Sequence, residues 1–140
     1  MSLVDVEALV SYYLRAQSEV TSLVAQRVYT ALPKDVVFPC VRVVRIGGAP
    51  LTSRPLYVDQ ARLQIDVFGG SKATAFDAID VVREELAKMV DEDPVQPEGV
   101  VCGVRFGPLA YLPDESYEPA KPRYTQDVVA TVRPVPLPTT

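Results

Sequence analysis

Histidine is absent from the 140 residues. That removes the Ser–His–Asp triad, the Cys–His dyad and every histidine-ligated zinc or haem, and with them the commonest general base. Cysteine occurs only as Cys40 and Cys102, and two thiols cannot complete an all-cysteine tetrahedral zinc site in one chain. Neither has a CxxC context or a histidine to activate it, so thiol catalysis is not expected. Both are expected to be small buried hydrophobes, and a reducing cytoplasm disfavours pairing them. A basic excess is lacking as well: 14 Lys and Arg face 18 Asp and Glu, for a net charge of −4. Sequence-specific nucleic-acid binders usually carry a basic footprint. No apolar run approaches the ~18 residues that span a bilayer. Met1-Ser2-Leu3-Val4-Asp5-Val6-Glu7 has neither the basic start nor the apolar stretch of a secretory signal. The expectation is a protein made in a cytoplasm with no membrane partner.

What the chain has in surplus is proline, 13 of 140 residues against a usual ~5%. The prolines cluster in Gly47 to Pro55, in Pro108 to Pro122, and in the tail from Pro134 to Thr140. Between them the periodicity is regular. Val6, Leu9, Val10, Tyr13 and Leu14 fall on one helical face, with Asp5 as N-cap and Glu7 in the first turn. Ser18 is expected to cap a second short helix that turns Leu23 and Val24 inward. Val28-Tyr29-Thr30 reads as a short extended piece. Cys40 to Ile46 is β-branched and bounded by Pro39 and Gly47-Gly48, so it predicts a strand followed by a loop.

In the next strand, Ala61, Leu63, Ile65 and Val67 alternate with Gln60, Arg62, Gln64 and Asp66, one apolar face and one wet or partner-facing face. Gly69-Gly70-Ser71 then opens a helix with Ser71 as N-cap. Its apolar stripe is Phe76, Ile79, Val82, Leu86 and Met89, with Glu84 and Lys88 spaced as an i, i+4 pair. Val100 to Phe106 is a strand with Cys102 on its apolar side. Arg123 to Arg133 is the last strand, with Tyr124, Val128, Ala130 and Val132 on its apolar side. The predicted fold is therefore α+β: a two-layer sandwich with a mainly antiparallel sheet of about four strands and two helices on one face. Residues 1–133 form one domain and 134–140 a proline-rich tail.

Four clusters could carry chemistry. Asp91-Glu92-Asp93 lacks the spaced carboxylates of a calcium loop, and Pro94 makes it a helix exit. Gly69-Gly70-Ser71-Lys72 sits where a phosphate turn would sit, but it has neither the Walker spacing nor the Rossmann glycine triplet. Asp77, Asp80 and Glu84 read as the solvated side of an amphipathic helix. Arg42, Arg45, Arg54 and Arg62 surround the Gly/Pro loop. Without interleaved aromatics they are expected to pair with acids of another subunit rather than with nucleic acid. No catalytic, cofactor-binding or metal-ligating residue is assigned.

Several runs carry a family resemblance. These are Ser22-Leu23-Val24-Ala25-Gln26-Arg27-Val28-Tyr29, Leu32-Pro33, Phe38-Pro39-Cys40-Val41 and Leu63-Gln64-Ile65-Asp66-Val67-Phe68. With the Gly/Ser turn and amphipathic helix that follow, and the closing strand, residues 1–133 resemble bacteriophage tail-terminator and tail-completion proteins of the lambda type. The resemblance implies a structural virion protein, not an enzyme, located at the head-proximal end of the tail. Its copies would form a homo-hexameric ring on the major tail tube protein, stop tube growth, and offer a surface to a head-completion or neck protein. DNA would pass through the ring without specific binding.

A closed ring needs two different matching patches on each copy. The stiff proline-rich loops suit that role, so Leu51, Arg54, Tyr111, Tyr117 and Arg123 are the expected subunit-interface residues; tyrosine and arginine are favoured hot-spot types. A neck or head–tail connector component of the same virion is the nearest alternative. A small-molecule-binding domain would need a pocket with convergent polar groups. A single-strand nucleic-acid binder would need aromatics on the open sheet face, where Gln60, Arg62, Gln64 and Asp66 offer none.

Overall fold

The structure, a computed structural model, describes residues 4–50, 58–91 and 99–134. Its elements in chain order are α1 (Val6–Arg15), α2 (Ser18–Val24), β1 (Val28–Tyr29), β2 (Cys40–Pro50), β3 (Asp59–Phe68), α3 (Lys72–Lys88), a 3-10 turn (Met89–Asp91), β4 (Val100–Tyr111) and β5 (Arg123–Arg133). The strands make one sheet in the order β1-β2-β3-β5-β4. Only β1 pairs in parallel, with β2; the other pairings are antiparallel. α3 carries the chain from β3 over β5 to β4. The α+β sandwich stands, with a fifth strand supplied by Val28–Tyr29 and a third helix supplied by the short segment after the first break.

The core lies between the helices and one sheet face. β3, paired on both sides, contributes Ala61, Leu63, Ile65 and Val67, all fully buried. α1 contributes Val6, Leu9, Val10, Tyr13 and Leu14, and Asp5 caps it by accepting from the Ala8 N–H at 3.1 Å. α3 contributes Ala78, Ile79, Val82 and Leu86. Its start is a reciprocal capping box: Thr74 N–H donates to the Ser71 hydroxyl at 3.1 Å, and Ser71 N–H to the Thr74 hydroxyl at 3.0 Å.

Local details differ from the periodic reading. Gln17, not Ser18, is the cap residue of α2, and its side chain makes no capping bond. Val20 and Val24, four apart, bury their side chains, which leaves Leu23 off the stripe and exposed. Phe76 likewise sits on the flank of α3, 48% exposed. Lys88 bonds Glu85 at 3.3 Å rather than Glu84.

The larger differences concern strand ends. Gly47 to Pro50, expected as loop, continue β2 and pair with Arg62 to Asp59. A register shift between Arg45 and Gly47 absorbs the irregularity. Gly48 has φ +99, and a Cβ there would lie 2.0 Å from the Gln60 carbonyl oxygen, so the close pairing requires glycine. β4 runs five residues past Phe106 to Tyr111 and contains Pro108, which an outermost strand tolerates at a bulge. Two bulges shift its register, between Val101 and Gly103 and between Phe106 and Leu109. The first puts Val101 rather than Cys102 in the core, so Cys102 is exposed while Cys40 is buried. At the second, Gln126 is wholly buried and its side-chain amide donates to the Gly107 carbonyl at 2.9 Å and the Pro108 carbonyl at 3.4 Å. It serves carbonyls that the disrupted pairing leaves behind.

Candidate assembly surfaces

The sheet ends differently at its two sides. On one side β4 is an outermost strand of 12 residues. On the other, β1 covers β2 only at Val41 and Arg42. Further along β2, the Arg45 N–H is taken by the Glu7 carboxylate at 2.7 Å, so α1 blocks part of that edge.

The strand polarity of β4 and β5 makes them a hairpin that extends beyond the sheet. Leu112 N–H donates to the Arg123 carbonyl at 2.9 Å, and Asp114 and Lys121 exchange backbone bonds at 2.8 and 3.0 Å. Of the stretch from Pro108 to Pro122, expected as a stiff proline-rich loop, only the tip between Asp114 and Lys121 turns. Asp114 accepts from the hydroxyl and N–H of Ser116 at 2.7 and 3.0 Å. These bonds, the hydroxyl first, hold its carboxyl below the ordinary value. The tip leans across the helix-free face of the sheet. Tyr117 meets Phe38 edge-on at 5.5 Å, Phe38 meets Phe68 at 5.8 Å, and the Lys121 ammonium lies 5.0 Å from the Phe38 ring centre.

That face is consequently not wet throughout. Asp66 and Phe68 are both fully buried. Asp66 accepts from Arg42 at 2.5 and 3.0 Å, from Gln64 at 3.0 Å and from Thr125 at 3.0 Å. Arg42 and Arg123 lie 5.7 and 5.8 Å from the Phe68 ring centre. Of the arginines expected to seek another subunit, three find acids in their own chain. Arg42 pairs with Asp66, Arg45 with Asp59 through two bonds of 2.6 and 2.9 Å, and Arg62 with Asp127 at 2.8 Å. The Asp59 and Asp127 hydrogen bonds raise the pKa of Arg45 and Arg62 further above its ordinary value. Arg54, together with Leu51, lies outside the described residues, as do 135–140 of the proline-rich tail.

The remaining three expected interface residues separate. Tyr117 and Arg123 share the Phe38–Phe68 cluster, where Arg123 also donates to the Leu112 carbonyl at 2.7 Å. Tyr111 belongs to the other face, 5.0 Å from Tyr124, with the Lys72 ammonium 4.6 Å from its ring. Phe76 packs on Tyr124 at 5.6 Å and completes that second aromatic group. The sequence reading overlooked Phe68, although it continues the even-numbered face of β3 and could have been found by extending that alternation one step. Nothing local marks Phe38 as its partner.

Two surface cavities are shallow. One, of about 250 Å³, is lined by Tyr12, Arg15, Ala16 and Gln26; the other, of about 300 Å³, by Val4, Asp5, Val6, Glu7 and Arg45. Arg15 is spent on the Val28 carbonyl at 2.7 Å and Arg45 on Asp59, so neither guanidinium is held ready for a ligand. Among the described residues no three His, Cys, Asp or Glu side chains gather to hold a metal ion. No described helix is long and apolar enough to cross a membrane.

Residues 8–111 match the profile of the family described as "Tail completion protein gp17". The chain belongs to that family. It is a structural component of a phage tail, and the virion is its place. The matched stretch runs from α1 to the end of β4, so the hairpin tip and β5 lie beyond it. The fold is similar to that of a chain in the virion of a native gene transfer agent particle. The two share 23% identity and a TM-score of 0.72, over 91% of this chain and 93% of that one. No curated protein matches.

Proposed function

We propose that copies of this tail-completion chain close into a homo-hexameric ring on the head-proximal end of the tail tube. The ring ends tube polymerisation and offers its far surface to a head-completion protein, while DNA passes through its centre. The observation that carries this reading is the inequality of the two sheet edges among the described residues: a long open β4 on one side, a short β1 and a blocked β2 on the other. Unequal sides suit a heterologous contact that closes by rotation. The net charge of −4 suits a conduit, since a strongly basic lumen would hold DNA by its phosphates.

Deleting the gene tests the reading. Overlong tails are expected, with rings of the purified chain visible on tube ends by negative-stain imaging. Tails of normal length that fail to join heads would overturn tube termination in favour of a neck role.

A further inference from the structure

We infer that the open edge of β4 in one copy receives the β4–β5 hairpin tip of the next, through an arginine–glutamate contact. This rests on the ring reading above and adds which surfaces meet.

Two arginines flank the β4 edge. Arg105, exposed, alternates with the half-buried Phe106 and so leaves the sheet on the helix-free face. Arg83 reaches from α3 on the other face, its guanidinium 5.6 Å from the Phe106 ring centre. The salt bridges among the described residues take Arg42, Arg45, Arg62 and Lys88. Neither Arg83 nor Arg105 has an acid partner there, and the Nε of Arg83 is buried without a hydrogen bond. A guanidinium stacked on an aromatic ring with an unspent planar fork is prepared for a carboxylate.

The hairpin tip carries the complement. Glu115 and Glu118 are exposed and make no salt bridge among the described residues. The tip is carried away from the β4 edge. Tyr117 pins it to Phe38, which leads into β2, past β5 and β3 in the sheet order. Among the described residues each copy therefore shows unpaired arginines on one side and unpaired glutamates toward the other, where the tip's own cations, Lys121 and Arg123, are engaged on the Phe38 and Phe68 rings. A two-fold contact through either side alone would set arginine against arginine or glutamate against glutamate, and like charges across an interface cost several kcal/mol. A head-to-tail contact sets opposite charges together at every junction and blunts the exposed strand edge as well. The occupant of the β4 edge is thus a second copy of this chain.

The test is reciprocal charge reversal in the full-length protein, assembled on tail tubes. Arg83→Glu with Arg105→Glu, and separately Glu115→Arg with Glu118→Arg, are each expected to lower the ring fraction about tenfold or more. An equimolar mixture of the two double variants is expected to restore rings, because every junction in an alternating even-membered ring again pairs opposite charges. Native mass spectrometry should then find equal numbers of each. Circular dichroism checks that both variants fold; should one not, the native exposed Cys102 gives an independent readout. Bismaleimide treatment of a Ser116→Cys variant should link the tip to Cys102 of its neighbour and yield a series of oligomers beyond the dimer. Rings that persist in both reversal variants, or cross-linking that stops at the dimer, would overturn this inference and leave the ring reading standing. Intact rings whose particles lose DNA on Arg83/Arg105 reversal would reassign the arginines to DNA. A wild-type chain that forms no ring even on tubes would remove the ring reading itself.

Discussion

Replacing Asp66 with alanine removes the centre of the polar cluster on the helix-free sheet face. The carboxylate is fully buried and accepts from three side chains: Arg42, Gln64 and Thr125. Breaking a buried ion pair from one side costs ~3–5 kcal/mol, because the remaining charge is stranded. Here the stranded partner is Arg42, whose side chain keeps 27% exposure. It can turn partly to water, so the lower end applies, ~3 kcal/mol. For a domain of this size that is a fall of ~10–14 °C in Tm. Asp66→Asn keeps the oxygen that accepts from Thr125 and should lose about half as much. Asp66→Leu combined with Arg42→Met removes both charges and should recover to within ~1 kcal/mol of wild type. Urea unfolding followed by far-ultraviolet circular dichroism measures all three. An Asp66→Ala variant within ~0.5 kcal/mol of wild type would refute the argument that this cluster is desolvated and held by the acid.

Glycine and cysteine positions give further outcomes. Gly48→Ala should destabilise by at least ~2 kcal/mol, because φ is +99 and the new Cβ meets backbone at 2.0 Å. Gly47→Ala, with nothing within 4 Å of its Cβ, should cost far less in the same thermal melts. Native protein should react with one equivalent of thiol reagent, at exposed Cys102, and with a second at Cys40 only after unfolding. Burial pushes the Cys40 thiol from an ordinary 9.0 up to about 11, against the pull of Arg27 and Arg42. A raised pKa means that the unfolded chain releases this proton first. Stability from the protonated Cys40 is therefore complete below pH 9.0 and lost as pH rises to about 11. Cys40→Ala should show a shallower alkaline loss in unfolding midpoint than wild type.

The local reading succeeded at most positions where one element decides its own pattern, although it misplaced Leu23 and Phe76 within their helices. The alternation from Ala61 to Val67 fixed the buried face of β3, and Ser71 and Asp5 cap their helices as side-chain chemistry suggests. It failed where a distant strand intervenes. Gly47 to Pro50 read as a loop from composition, yet β3 supplies partners that draw them into β2. Cys102 read as core from its parity, yet a bulge opposite β5 reverses that parity. Arg42, Arg45 and Arg62 read as charges in search of another subunit, because their acids lie 14 to 65 residues away in sequence. No periodicity reports a partner at that separation.

By itself the sequence determined the class of the molecule. The missing histidine removed the commonest general base, and repeats of 3.6 and 2 residues set the helices and strands and turned one face of each inward. Those are consequences of local geometry and of which side chains leave water. The tertiary structure alone decided that β4 ends the sheet, that the hairpin tip crosses to Phe38, and that, among the described residues, Arg83 and Arg105 are left without acids while Arg42, Arg45 and Arg62 are paired. Strand order and charge partnership are settled by contacts between residues far apart in the chain, whose energies depend on the whole packing at once.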